Sequence, residues 1–93
     1  MKVTRHLIVR GRVQGVGFRE YLRREAERLN VNGWVRNRHD GTVEAMLHGS
    51  PEDVARILKW TQRGPPAAHV TAVDVTDASG EFETFEQIGR AHV

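Results

Sequence analysis

The chain has 93 residues, 14 Lys and Arg against 12 Asp and Glu, and a formal net charge of +2. That length supports one domain, expected over 1–93, whose single core buries roughly two thirds of the unfolded chain's surface. The absence of cysteine excludes disulfides, thiolate metal sites and a cysteine nucleophile, and no apolar run reaches the length of a membrane span.

In chain order, Val3 to Val9 carries β-branched and apolar residues in partial alternation, which predicts a strand. Three glycines follow within Gly11 to Gly17. Phe18, Leu22, Ala26 and Leu29 then recur at helical spacing and predict an amphipathic helix over Phe18 to Leu29. Val31 to Arg36 reads as a second strand, with Asn37 at its end. Asn37 to Gly41 closes on Asp-Gly, a hairpin signal, and Thr42 to His48 alternates as a third strand. Ser50 is a good N-cap, Pro51 suits the first helical position, and Asp53 lies three residues beyond the cap. That helix, 51–63, turns Val54, Ile57, Leu58 and Thr61 inward and stops at Gly64-Pro65-Pro66. Ala68 to Thr76 is the fourth strand, and Thr84 to Ile88 leaves room for a short fifth. The fold class is therefore α+β: a ferredoxin-like βαββαβ sandwich, an antiparallel sheet with two helices on one face. In it strands one and three are central and strand two lies at or near an edge.

The segment Gly11-Arg12-Val13-Gln14-Gly15-Val16-Gly17-Phe18-Arg19 carries the chemistry. Glycine reaches positive φ and leaves no Cβ in front of a ligand. Successive main-chain amides can then converge on one concavity and bind an anion. The start of the helix adds unpaired amides and partial positive charge, and a guanidinium offers a planar fork that matches phosphate oxygens. Charge distribution agrees. Residues 1–38 sum to +7 and residues 39–93 to −5, a field that draws anions toward the loop. Arg23, Arg24 and Arg28 account for much of that excess as the solvated face of a helix.

Known loop patterns do not fit. A P-loop requires a lysine and a hydroxyl that are missing here, and the dinucleotide fingerprint fails at Glu20. The loop holds no Ser, Thr, Asp, His or Cys, so a nucleophile must come from solvent. In such a sandwich the hairpin after strand two can come near the loop, and the carboxamide of Asn37, the last residue of that strand, could hold a water in line with a bound phosphorus. No general acid is evident. An acyl phosphate needs none, because it expels a carboxylate whose conjugate acid has a pKa of roughly 4. The five histidines are scattered without an i, i+4 pair and no carboxylate cluster is evident, so no metal is expected.

These motifs resemble the acylphosphatase family. The loop reads Gly11 to Arg19, then Gly33-Trp34-Val35-Arg36-Asn37, then Asp40-Gly41-Thr42-Val43-Glu44, and the likeness continues through Gly49 and Gly64-Pro65-Pro66. The resemblance implies hydrolysis of acyl phosphates to a carboxylate and inorganic phosphate, without metal or cofactor and without a covalent phosphoenzyme. It implies that Arg19 binds the phosphoryl oxygens, that Asn37 orients the attacking water, and that the backbone from Gly11 through Arg12, Val13, Gln14, Gly15, Val16, Gly17 and Phe18 cradles the phosphate. Gln14 has two readings, pinning the loop or touching ligand. The family's last strand usually sets an aromatic and an aliphatic residue two apart, whereas Phe85 and Ile88 are three apart. Arg90, Ala91, His92 and Val93 carry no assigned feature.

Other readings weigh less. RNA-recognition domains share the element order but stack bases on aromatics of the central strands, and strands one and three here have none, so no nucleic-acid partner is expected. A sensor that binds a phosphorylated or carboxylated metabolite without turnover has no use for Asn37. Trp34 and Phe18 read as packing, Trp60 as half exposed, and the histidines, His39 included, as surface or turn residues. Met1 to His6 lacks the apolar stretch of a secretory signal. The expectation is a cytoplasmic monomer whose partners are a small acyl phosphate and inorganic phosphate, with no membrane.

Overall fold

A computed structural model describes residues 1–89; Arg90 to Val93 lie outside it. The elements are β1 (Val3–Arg12), α1 (Phe18–Arg28), β2 (Asn32–Asn37), β3 (Val43–Gly49), α2 (Pro51–Thr61), β4 (His69–Asp77) and β5 (Phe85–Gln87), and the strands lie in the order β4-β1-β3-β2-β5. The ferredoxin-like arrangement of the sequence reading is thus present, with β1 and β3 at the centre.

Alternation decides which face is covered. Leu7 and Val9 of β1, Val35 of β2 and Val43, Ala45 and Leu47 of β3 are fully buried. They meet Phe18, Leu22 and Ala26 from α1 and Val54 and Ile57 from α2 in one core. Burying a side chain such as Phe18 contributes about 1.5–3 kcal/mol. The Ser50 hydroxyl accepts from the Asp53 amide at 3.1 Å, so the cap read from the sequence forms.

One expectation is corrected. The sheet is mixed, not antiparallel, because β5 pairs parallel to β2 and takes the edge beyond it. The reason lies in where β4 ends. Asp77 is opposite Arg5, at the end of the sheet where β1 and β2 begin. A chain leaving there and crossing that end can re-enter only in the direction of β2. The crossing segment is tied down by the Thr4 hydroxyl, which donates to the Gly80 carbonyl at 3.0 Å, and by Asn32 Nδ2, which donates to the Phe82 carbonyl at 2.9 Å. Its register turns Phe85 into the core, while Ile88 falls beyond the strand and stays exposed.

The sheet face away from the helices carries a charged cluster. The Glu44 side chain is only 13% exposed, and both of its oxygens are engaged. His6 Nε2 lies 2.6 Å from one oxygen and must donate to it, since an ionised carboxylate only accepts. Arg36 Nε donates to the other at 2.6 Å. Burial pushes the Glu44 carboxyl up, but these hydrogen bonds outweigh it and hold the group below the usual glutamate range. A lowered folded-state pKa stabilises the fold above the unfolded value, and that stabilisation is lost as pH falls through the folded value. Glu44→Gln should therefore lose about 1.5–3 kcal/mol near neutral pH. In urea melts across pH, the deficit should shrink as acid protonates Glu44 in the wild-type chain.

Candidate active site

β1 delivers the chain to the glycine loop. A bulge between Arg10 and Gly11 lets the strand run on to Arg12, three residues beyond its predicted end, by pairing Gly11 with Val70 and Arg12 with His69 of β4. Past Arg12 the chain leaves the sheet. Gly15 (φ 75°) and Gly17 (φ 82°) are in the left-handed region, and Gly17 caps α1 without any side-chain hydrogen bond. A side chain is disfavoured there by about 1–2 kcal/mol per residue. The first amide to find a partner is that of Tyr21, which donates to the Gly17 carbonyl at 3.0 Å. The main-chain amides from Gly15 to Glu20 find no acceptor among the described residues. They form a run of free donors at a helix N-terminus, the arrangement that binds anions.

A cavity of about 170 Å³ opens on this loop, and Val13, Gly15, Gly17, Phe18, Arg19 and Asn37 line it together with Glu20 and Gln87. Phe18 is its apolar anchor. The ring is buried and packs on Trp60 with centroids 5.3 Å apart. Arg19 reaches from the first turn of α1 to the end of β5, where one terminal nitrogen donates to the Ile88 and Gly89 carbonyls at 2.9 and 2.6 Å. Nε and the second terminal nitrogen of Arg19 have no acceptor among the described residues. Asn37, the last residue of β2, presents a buried carboxamide oxygen without a hydrogen-bond partner among the described residues. An unsatisfied buried acceptor costs about 1–3 kcal/mol.

The residues singled out in the sequence do not all converge. Val13, Gly15, Gly17, Phe18, Arg19 and Asn37 meet at the cavity, whereas Gly11 and Arg12 stay in β1. Gly11 is glycine for space: an added Cβ would collide with the His69 carbonyl of β4. Val16 packs against the core. The Gln14 side chain turns to the β2–β3 hairpin, where Nε2 donates to the carbonyls of Arg38 and Thr42 at 2.7 and 2.9 Å. The solvated helix arginines bind side chains near them, Arg24 to Glu20 and Arg28 to Glu25, while Arg23 bridges Glu27 and Gln87. Glu20 and Gln87 line the cavity without having been singled out. Gln87 could have been suspected only from the register of β5. The carbonyls that hold Arg19 left no sequence signal, since any residue supplies one. No group of three or more metal-binding side chains occurs among the described residues, and no described helix is long and apolar enough to cross a membrane.

The acylphosphatase family model matches residues 5–87. An acylphosphatase of Thiobacillus denitrificans is 57% identical over 84 residues, spanning 90% of this chain and 94% of the relative. One of Thermococcus kodakarensis is 51% identical over 89 residues, spanning 95% and 98%. Among solved structures, an acylphosphatase from Coxiella burnetii superposes with a TM-score of 0.90 at 34% identity, covering 94% of this chain and 93% of that one.

The two kinds of glycine should separate in urea melts. Gly15→Ala meets nothing within 4 Å of the new methyl and bears only the left-handed strain, about 1–2 kcal/mol. Gly11→Ala adds a collision with β4 and should cost clearly more. Equal losses would refute the distinction.

Proposed function

The chain belongs to the acylphosphatase family, enzymes that hydrolyse acyl phosphates to a carboxylate and inorganic phosphate, and on that premise we propose that this one works by direct attack of a positioned water, with no phosphoenzyme. The observation that carries the reading is that Asn37, whose buried carboxamide oxygen has no partner among the described residues, lines the same cavity as Gly15, Gly17 and Arg19.

The phosphoryl group sits against the amides of the loop and the first turn of α1. Donors and helix dipole meet its negative charge without having to reorganise. The free edge of the Arg19 guanidinium binds its oxygens, held in place by the hydrogen bonds to Ile88 and Gly89. Asn37 accepts a hydrogen bond from water and aims the water's lone pair at phosphorus, opposite the acyl oxygen. The new P–O bond forms as the bond to the acyl oxygen breaks. The carboxylate leaves with the electron pair, and the water's proton passes to the phosphate or to solvent. An amide is no base at neutral pH, so the acceleration comes from positioning and electrostatics. A leaving group whose conjugate acid has a pKa of roughly 4 departs without protonation. A metal-free reaction on a small acyl phosphate, with inorganic phosphate as competing anion, follows from the same parts.

Benzoyl phosphate should be hydrolysed at an unchanged rate in excess chelator. Arg19→Ala should lower kcat/KM by at least about 10²-fold and weaken phosphate inhibition. Arg19→Lys should not restore activity, since a point charge cannot replace the fork. Asn37→Ala should lower kcat about 10²-fold while phosphate inhibition changes little. Full activity in Asn37→Ala would remove its assigned role.

A further inference from the structure

We propose that Gln14 is a positioning residue that sets the distance between the phosphate cradle and Asn37, and is not itself a phosphate ligand. The inference rests on the water-positioning role proposed for Asn37. Gln14 lies in the loop between β1 and α1, yet it does not line the cavity. Its Nε2 donates to the carbonyls of Arg38 and Thr42, at 2.7 and 2.9 Å, so both of its N–H bonds are used within the protein.

Those two carbonyls close the β2–β3 turn. The Arg38 amide donates to the Thr42 carbonyl at 2.9 Å, and the Gly41 amide to the Arg38 carbonyl at 3.2 Å. Asp40 fixes the far side. Its Oδ1 accepts from the Thr42 amide at 3.0 Å and from the Thr42 hydroxyl at 2.6 Å. Gln14 thus docks on a turn whose acceptors are already oriented, one residue beyond Asn37. The loop that would hold phosphorus and the strand end that would hold water are separate pieces of chain. Among the described residues, the side-chain hydrogen bonds between loop and turn are those of Gln14. A group that must lie in line with a bond about to break tolerates little drift, since a misplacement of about 1 Å can cost about 10²-fold in rate.

The test is a double-variant cycle on benzoyl phosphate, with inorganic phosphate as inhibitor, using Gln14→Leu, Asn37→Ala and both together. Gln14→Leu should lower kcat about tenfold or more while the phosphate inhibition constant moves less than about threefold. Asn37→Ala should lose most of its effect in the Gln14→Leu background, because water placement has already failed. Gln14→Glu gives a second readout should Gln14→Leu not fold. At neutral pH its carboxylate faces two carbonyl oxygens. Once protonated it regains one O–H donor, so its rate relative to the wild type should rise as pH falls through the carboxyl range. A phosphate inhibition constant that rises in step with the loss of kcat would make Gln14 a ligand and overturn the inference. So would independent, multiplying costs in the cycle, or a flat pH ratio for Gln14→Glu. An Asn37→Ala chain as active as the wild type removes the parent reading and this inference with it; an impaired Asn37→Ala with multiplying costs removes this inference alone.

Discussion

Main-chain amides with no acceptor among the described residues are the constraint on which this site is built. A helix cannot satisfy its own first amides, and here no side chain among the described residues does so either, because the capping position is Gly17. Ser50 shows the contrast at the start of α2, where a hydroxyl accepts from the Asp53 amide and closes that end. One helix start is finished and the other is left open. The open one has left-handed glycines leading into it and a guanidinium on its first turn.

Holding the open end in place is the task of the rest of the fold. Phe18 enters the core at the first residue of α1 and so fixes where the free amides lie. β1 and β2 both pair antiparallel to β3 and so run the same way, which puts Asn37 at the loop's end of the sheet, and the Gln14 side chain spans the remaining gap. β5 closes the edge and places the Ile88 and Gly89 carbonyls against Arg19. The Glu44 cluster with His6 and Arg36 ties β1, β3 and β2 together on the face the helices leave open. Among the described residues, the site carries an unpaired buried oxygen, that of Asn37, at a cost of about 1–3 kcal/mol. That is a large share of the roughly 5–15 kcal/mol by which a domain is stable.

Much of this architecture was legible in the residues. Helical spacing at Phe18, Leu22 and Ala26, alternation at Val43, Ala45 and Leu47, and the Ser50 cap each express a local rule, and each element formed within a few residues of its expected limits. The errors arose where a partner strand overrode the local pattern. Pairing with β4 carried β1 through Gly11 and Arg12, which moved both out of the loop. Val31 and Thr42, read as strand, are buried but flank β2 and β3. Parallel pairing of β5 is a property of where β4 ends, and no periodicity encodes it.

Residue types and spacing therefore determined the element order, the apolar faces, the left-handed turns at Gly15 and Gly17, and the presence of a guanidinium and a carboxamide suited to phosphate chemistry. Tertiary structure alone decided which of these groups share a cavity, that Gln14 serves the hairpin, and that Arg19 is braced by the end of β5. Turn and helix preferences act over a few neighbouring residues, so they can be read along the chain. The contacts that bring Asn37 to the loop and carbonyls to Arg19 join side-chain donors to main-chain carbonyls far away in sequence, and a carbonyl oxygen carries no residue identity for a reader to recognise.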